Sequence, residues 1–186
     1  MPSAQALRDF QADHCDWNGR PLVVDGKLGA RTRWAMAIAD LPRWRRAIVQ
    51  VACSQVGVVE SPLGSNRGVE VDAYLRPSGL SAVPWCAAFV SWVLREAGVE
   101  QPGGYQVSAA QLLRSLRPAV RPLPGDVFGW VNSDGTGHCG FTIGVGDALD
   151  VVATVEGNSR HSVRVCSRPR VGLQFGSPEP AEEHHP

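Results

Sequence analysis

No stretch of this 186-residue chain stays apolar for the ~20 residues that a bilayer-spanning helix needs, so no transmembrane helix is expected. The opening residues, Met1-Pro2-Ser3-Ala4-Gln5, show no basic patch followed by an apolar core. No signal peptide is expected either, and a target outside the cytoplasm would require another route of export. Net charge is also missing, because 18 basic residues balance 18 acidic ones. Without a positive field to recruit them, nucleic acid and membrane surfaces are not expected partners. The five cysteines, Cys15, Cys53, Cys86, Cys139 and Cys166, are odd in number and lack C-x-x-C spacing. That excludes a disulfide framework and leaves at least one thiol free. Cysteines and histidines are not paired at ligand spacing, so neither a metal nor another cofactor is expected.

What is present is enough apolar material, 44% of the residues, to build the core of one domain with a small appendage. Residues 1–41 read as a helical unit. Ala4 to Asp13 puts Leu7 and Phe10 on one face, and Ala30 to Ala39 puts Trp34, Ala35 and Ile38 on one side. Pro42 closes the unit. Residues 43–176 form the expected second domain, and 177–186, rich in Pro, Glu and His, the expected disordered tail. The second domain opens with an amphipathic helix over Arg43 to Gly57, followed by a polar loop from Glu60 to Gly68. Helices are expected over Cys86 to Ala97, closed by Gly98, and over Ser108 to Leu116, capped by Ser108. After Pro124 the period becomes two. Asp126–Val131, Cys139–Val145, Val151–Val155 and Ser162–Cys166 read as strands. Helices first and antiparallel strands afterwards predict an α+β fold, a central antiparallel sheet packed on helices.

Chemistry concentrates in three segments. Cys86 falls in the first turn of its helix, where unpaired N–H groups and the helix dipole favour a thiolate. A buried, inert thiol is the other reading of that position. In Gly137 to Val145 the residues Cys139, Phe141, Ile143 and Val145 share an apolar face, and His138, Gly140, Thr142 and Gly144 share the other. The small residues beside His138 predict room there for a helix to approach. Thr154, Glu156 and Asn158 alternate on the next strand, so Glu156, with Asn158 second, is the expected acceptor for the His138 Nδ1–H. His14 and His161 are rival bases outside this pattern.

Two resemblances follow from these residues. Asp25-Gly26-x-x-Gly29-x-x-Thr32-x-x-Ala35 resembles the peptidoglycan-binding type 1 repeat, shortened here. That resemblance implies wall binding by Asp25, Gly26, Gly29 and Thr32; the same residues also read as a tight turn between helices. Pro84-Trp85-Cys86-Ala87-x-Phe89-Val90-x-Trp92-Val93, Pro124-Gly125-Asp126-x-x-x-Trp130, Gly137-His138-x-Gly140 and Glu156-Gly157-Asn158 are similar to the CHAP family over roughly residues 46–170. These are papain-like, NlpC-related cysteine- and histidine-dependent amidohydrolases and peptidases. The resemblance implies Cys86 as nucleophile, His138 as base and acid, Glu156 as orienter and Asn158 as a polar member of the site. It also implies that Glu60, Asn66, Tyr74 and Trp85 line the substrate cleft. The implied function is peptidoglycan hydrolysis, at the muramoyl–L-alanine amide or a peptide bond, by a phage-type lysin or an interbacterial toxin effector acting on the wall. The expected partner is peptidoglycan, with an immunity protein or secretion machinery added in a toxin role, and the expected state is a monomer. A non-catalytic wall-binding protein and a cysteine transferase on the same scaffold are the alternatives.

Overall fold

A computed structural model describes residues 2–145 and 150–179. Among these residues six α-helices, α1 (Ala4–Ala12), α2 (Ala30–Ala39), α3 (Arg43–Ser54), α4 (Val69–Leu75), α5 (Cys86–Glu96) and α6 (Ala109–Ser115), precede all the strands. The strands are β1 (Arg117–Pro118), β2 (Val127–Val131), β3 (Gly137–Val145), β4 (Val151–Ser159), β5 (Ser162–Pro169) and β6 (Gln174–Ser177). They form one antiparallel sheet in the order β1-β6-β2-β3-β4-β5. The architecture is α+β, as the change of period predicts. Among the described residues no helix is long and apolar enough to cross a membrane.

α5 is the central helix. Cys86 to Ser91, Val93 and Leu94 are all buried, so it is covered on nearly every side. It ends in a glycine-dependent turn: Gly98 takes φ +68°, Gly98 N–H donates to Arg95 O, and Val99 N–H donates to Leu94 O. The helix lies on the sheet face carrying Cys139, Phe141 and Ile143, opposite the face expected from the small residues beside His138. The glycine that admits it is Gly157 on β4, where an added Cβ would sit 2.6 Å from Phe89 Cβ. Gly140 admits something else, since a Cβ there would lie 3.2 Å from Glu156 Cγ and 2.9 Å from Phe128 Cε1.

Three segments depart from the expected pattern. The loop before Cys86 contains the short helix α4, whose Val71, Tyr74 and Leu75 are buried. β1 and β6 pair at the sheet edge, too short to show a period. Ser177, placed in the expected tail, ends β6 in burial, and its Oγ accepts from Arg45 at 3.0 Å. Residues 180–186 of that tail, His184 and His185 included, lie outside the described residues.

The N-terminal helices pack onto the rest of the chain. Trp34 Nε1–H donates to Ile143 O of β3 at 2.7 Å. Trp17 meets Trp34 edge to face at 6.0 Å. Within residues 1–41 the hub is Gln11, only 1% exposed. Its amide donates to Asp25 Oδ1, Lys27 O and Thr32 Oγ1, and its carbonyl accepts from Gly26 N–H at 2.8 Å. Gly26 has φ +70° and approaches Ala4 O so closely that a Cβ would lie 2.9 Å from it.

Candidate active site

The N-terminus of α5 delivers Cys86, and the start of β3 delivers His138. Trp85 is the N-cap of α5 and makes no side-chain cap bond, so the first N–H groups stay directed at the sulfur end of the helix. His138 is the second residue of β3, at the end of the sheet where α5 begins. Glu156 on β4 lies beside Gly140, where an added Cβ would come 3.2 Å from its Cγ, and its carboxylate reaches His138. Oε2 lies 2.9 Å from His138 Nε2. The orienting bond therefore uses Nε2 rather than the expected Nδ1, which leaves Nδ1 as the nitrogen available to the sulfur.

Glu156 has no exposed side-chain surface, and an ion buried so completely needs several partners. Besides His138 it accepts from Thr154 Oγ1 (2.7 Å) and from Arg168 through Nε (2.8 Å) and a terminal nitrogen (2.5 Å). Burial alone would raise its pKa; Arg168, His138 and Thr154 together hold it well below the carboxylate range. The Arg168 guanidinium also lies 5.3 Å from the Trp130 ring, and Trp130 lies 5.0 Å from the imidazole of His138. Trp130, His138, Glu156 and Arg168 make one continuous wall.

At Cys86 the hydrogen bond from the Cys139 thiol is the largest influence, and burial opposes it. The hydrogen bond and charge of His138 add to it, bringing the Cys86 pKa down to about 5. Burial disfavours the His138 imidazolium, but Cys86 and Glu156 overcome it and raise its pKa to about 9. Both shifts favour a thiolate on Cys86 beside an imidazolium on His138 near neutrality. Cys139 pays the opposite consequence: its bond to the Cys86 thiolate, with complete burial, holds it as a thiol. Cys53, buried elsewhere, is pushed up to about 12 and is inert.

Asn158 does not join His138. A register shift between Glu156 and Ser159, with φ +57° at Asn158, breaks the alternation that predicted a shared direction. With its amide turned so that both ends find partners, it instead bridges two other groups, donating to Glu60 Oε1 at 3.3 Å and accepting from Trp85 N–H at 3.0 Å. The expected cleft residues Glu60, Tyr74 and Trp85 are at most 3% exposed, so their side chains present no surface to a ligand. Tyr74 packs against Trp85, Phe89 and Trp92, and its hydroxyl donates to Gln55. Asn66, half-buried, contributes its backbone N–H to Glu60 at 3.2 Å. The residues expected to bind the wall make contacts within their own unit, Asp25 and Gly29 staying exposed. Asp25 accepts from Gln11 and Lys27 N–H, Thr32 is buried on Gln11, Gly26 is closed against Ala4, and Gly29 is the backbone N-cap of α2. These residues wire the turn between the helices. His14 stacks on Phe10 and bonds its carbonyl, and His161 lies on Glu60. Among the described residues no group of three His, Cys, Asp or Glu side chains is arranged to hold a metal ion.

Sequence reasoning missed Arg168, the role of Thr154, and the contact of Cys139 with Cys86. Arg168 was beyond reach, because Arg164 is the β5 residue facing Glu156 in register and Arg168 lies four positions further on. Thr154 shares the face of Glu156 by period two, and that signal was available.

The CHAP domain family model matches residues 79–158, a narrower span than the one read from the motifs, and it contains Cys86, His138 and Glu156. The resemblance to that family holds, and the α+β architecture with its antiparallel sheet agrees with a papain-like CHAP fold. CHAP domains are typically cysteine- and histidine-dependent amidohydrolases acting on peptidoglycan. No curated protein and no solved structure matches the chain.

Proposed function

We propose that this chain, through the CHAP domain at residues 79–158, is a peptidoglycan hydrolase that cleaves an amide bond with Cys86 as nucleophile. The observation carrying the proposal is the buried Glu156 carboxylate 2.9 Å from His138 Nε2, behind a cysteine on a helix N-terminus. The Cys86 thiolate adds to the amide carbonyl, and the N–H groups of the first turn of α5 stabilise the oxyanion. His138, protonated at Nδ1, gives its proton to the leaving amine as the C–N bond breaks. The neutral imidazole then takes a proton from water, which attacks the thioester and frees the carboxylate and the Cys86 sulfur. Glu156 holds the ring and balances its charge throughout, as the third member of a triad does.

The bond is the muramoyl–L-alanine amide or a peptide bond of the stem or cross-bridge. We read residues 1–41 and 43–176 as an accessory helical unit and the catalytic domain of a phage-type lysin or an interbacterial effector. The test is digestion of purified peptidoglycan by wild type and Cys86→Ala, with fragments identified by mass spectrometry. New termini from wild type alone are expected, and their position names the bond. Fragments that persist with Cys86→Ala would remove Cys86 as nucleophile. Sacculus binding without cleavage would instead mean a binding protein, and a new amine linkage would mean a transferase.

A further inference from the structure

Another buried carboxylate, outside the proposed triad, sits beside the residue that precedes Cys86. Glu60 is 3% exposed, and its two oxygens face donors from four segments. Oε1 accepts from Trp85 Nε1–H at 2.9 Å and from the Asn158 amide at 3.3 Å. Oε2 accepts from Asn66 N–H at 3.2 Å and lies 3.2 Å from His161 Nδ1. The loop is brought there by backbone pairing, since Glu60 N–H donates to His161 O and Val59 bridges Ser162 beside β5.

Left-handed backbone collects around this carboxylate. Five non-glycine residues among those described have left-handed φ, and four of them, Asn66, Asn158, Arg160 and His161, donate to Glu60 or adjoin a donor. The fifth, Ala82, lies four residues before Cys86. Two of the four contacts of Glu60, both at Oε1, end at one residue: the indole of Trp85, and the Trp85 N–H held through Asn158. Trp85 is the N-cap of α5, and the next residue is the nucleophile.

We infer that Glu60 is a positioning residue for the nucleophile: through the Trp85 indole and the Asn158 amide it fixes the turn that aims Cys86 at His138. This deepens the proposed function and rests on Cys86 being its nucleophile. Asn158 acts in the same network, on the entry of α5 rather than on the imidazole. Glu60→Gln keeps the shape of the side chain but sets an amide NH₂ against donors.

The test reads the thiol directly, on the full chain, as the pH dependence of Cys86 alkylation by iodoacetamide, located by peptide mass spectrometry. It needs no wall substrate, so a wrong substrate leaves this result intact. With Glu60→Gln the alkylation midpoint is expected to move up toward the ordinary thiol value of about 8.5. On peptidoglycan, kcat is expected to fall by about 10²-fold with KM little changed, the cost of misplacing an attacking atom by about 1 Å. Asn158→Gly tolerates the left-handed backbone, removes the same bridge and is expected to give the same shift. The double variant is expected to be no worse than the stronger single one, because both break one network. A lowered melting temperature with unchanged alkylation midpoint and kcat would overturn the inference, as would additive effects of the two substitutions. If Glu60→Gln does not fold, an unshifted midpoint in folded Asn158→Gly overturns it equally.

Discussion

At the scale of single residues the site is a balance of burial against charge. Cys86 and His138 are both largely removed from water, which by itself opposes both ions; each is stabilised by the other. The expected pH behaviour follows from the two shifted values, about 5 for Cys86 and about 9 for His138. Turnover should rise as the thiolate forms through the lower value and fall as the acid is lost through the upper one. The two limbs belong to the pair, and kcat/KM measured across pH checks them. The linked stabilities run in opposite directions. That from His138 is complete below its unfolded value of about 6.5 and is lost as pH rises through about 9. That from Cys86 is complete above the ordinary thiol value and is lost as pH falls through about 5. Glu156→Gln removes the charge that balances the imidazolium and should lower kcat by about 10²–10⁴-fold. Steady-state kinetics with the melting temperature held in view decides this, since an unchanged kcat would take Glu156 out of the triad.

Between elements, the decisive contact is α5 on the sheet. Gly157 leaves room for Phe89, with a hypothetical Cβ only 2.6 Å from Phe89 Cβ. Gly157→Ala should force the helix off β4 or Phe89 off its rotamer, at a cost of about 1–3 kcal/mol. Urea unfolding measures that cost, and Cys86 alkylation should slow in parallel because the same helix carries Cys86. A substitution as stable as wild type would mean that α5 does not pack on Gly157 as described. The alternation of β3 was readable from the sequence, and so was the burial of Cys139, Phe141 and Ile143. Which face receives the helix was not readable there. It depends on Gly157 of another strand, and period two says nothing about neighbours across a sheet.

Across the whole molecule, one buried side chain ties three distant parts of the chain. Arg45 on α3 donates to Asp126 Oδ1 at 2.7 Å, to Pro124 O at 3.1 Å and to Ser177 Oγ at 3.0 Å. Its side chain is 8% exposed, and Asp126 is 1% exposed. Asp126 also accepts from Leu123 N–H, so the Pro124-Gly125-Asp126 turn is built around this pair. Arg45→Met should leave the Asp126 carboxylate buried without its cation and cost about 3–5 kcal/mol, seen as a lower denaturation midpoint. Arg45→Met together with Asp126→Asn should recover part of that loss. An unchanged midpoint in the single variant would show that the pair contributes nothing.

By itself the sequence determined the α+β class and the change from helices to strands, and it singled out Cys86, His138 and Glu156 as candidates. Period, capping residues and helix termini are local properties, and they suffice to mark a cysteine at a helix start and polar residues on neighbouring strands. The tertiary structure alone decided which nitrogen of His138 meets Glu156, that Arg168 completes the pairing, and that Asn158 turns away to Glu60 and Trp85. Each of these depends on a bulge, a register offset or a side chain reaching along a neighbouring strand. The burial of Tyr74 and Trp85, and the closure of Asp25 and Thr32 onto Gln11, were likewise decided by packing. A polar or aromatic residue in a loop reads as a ligand contact until the structure shows which of its atoms are already bonded.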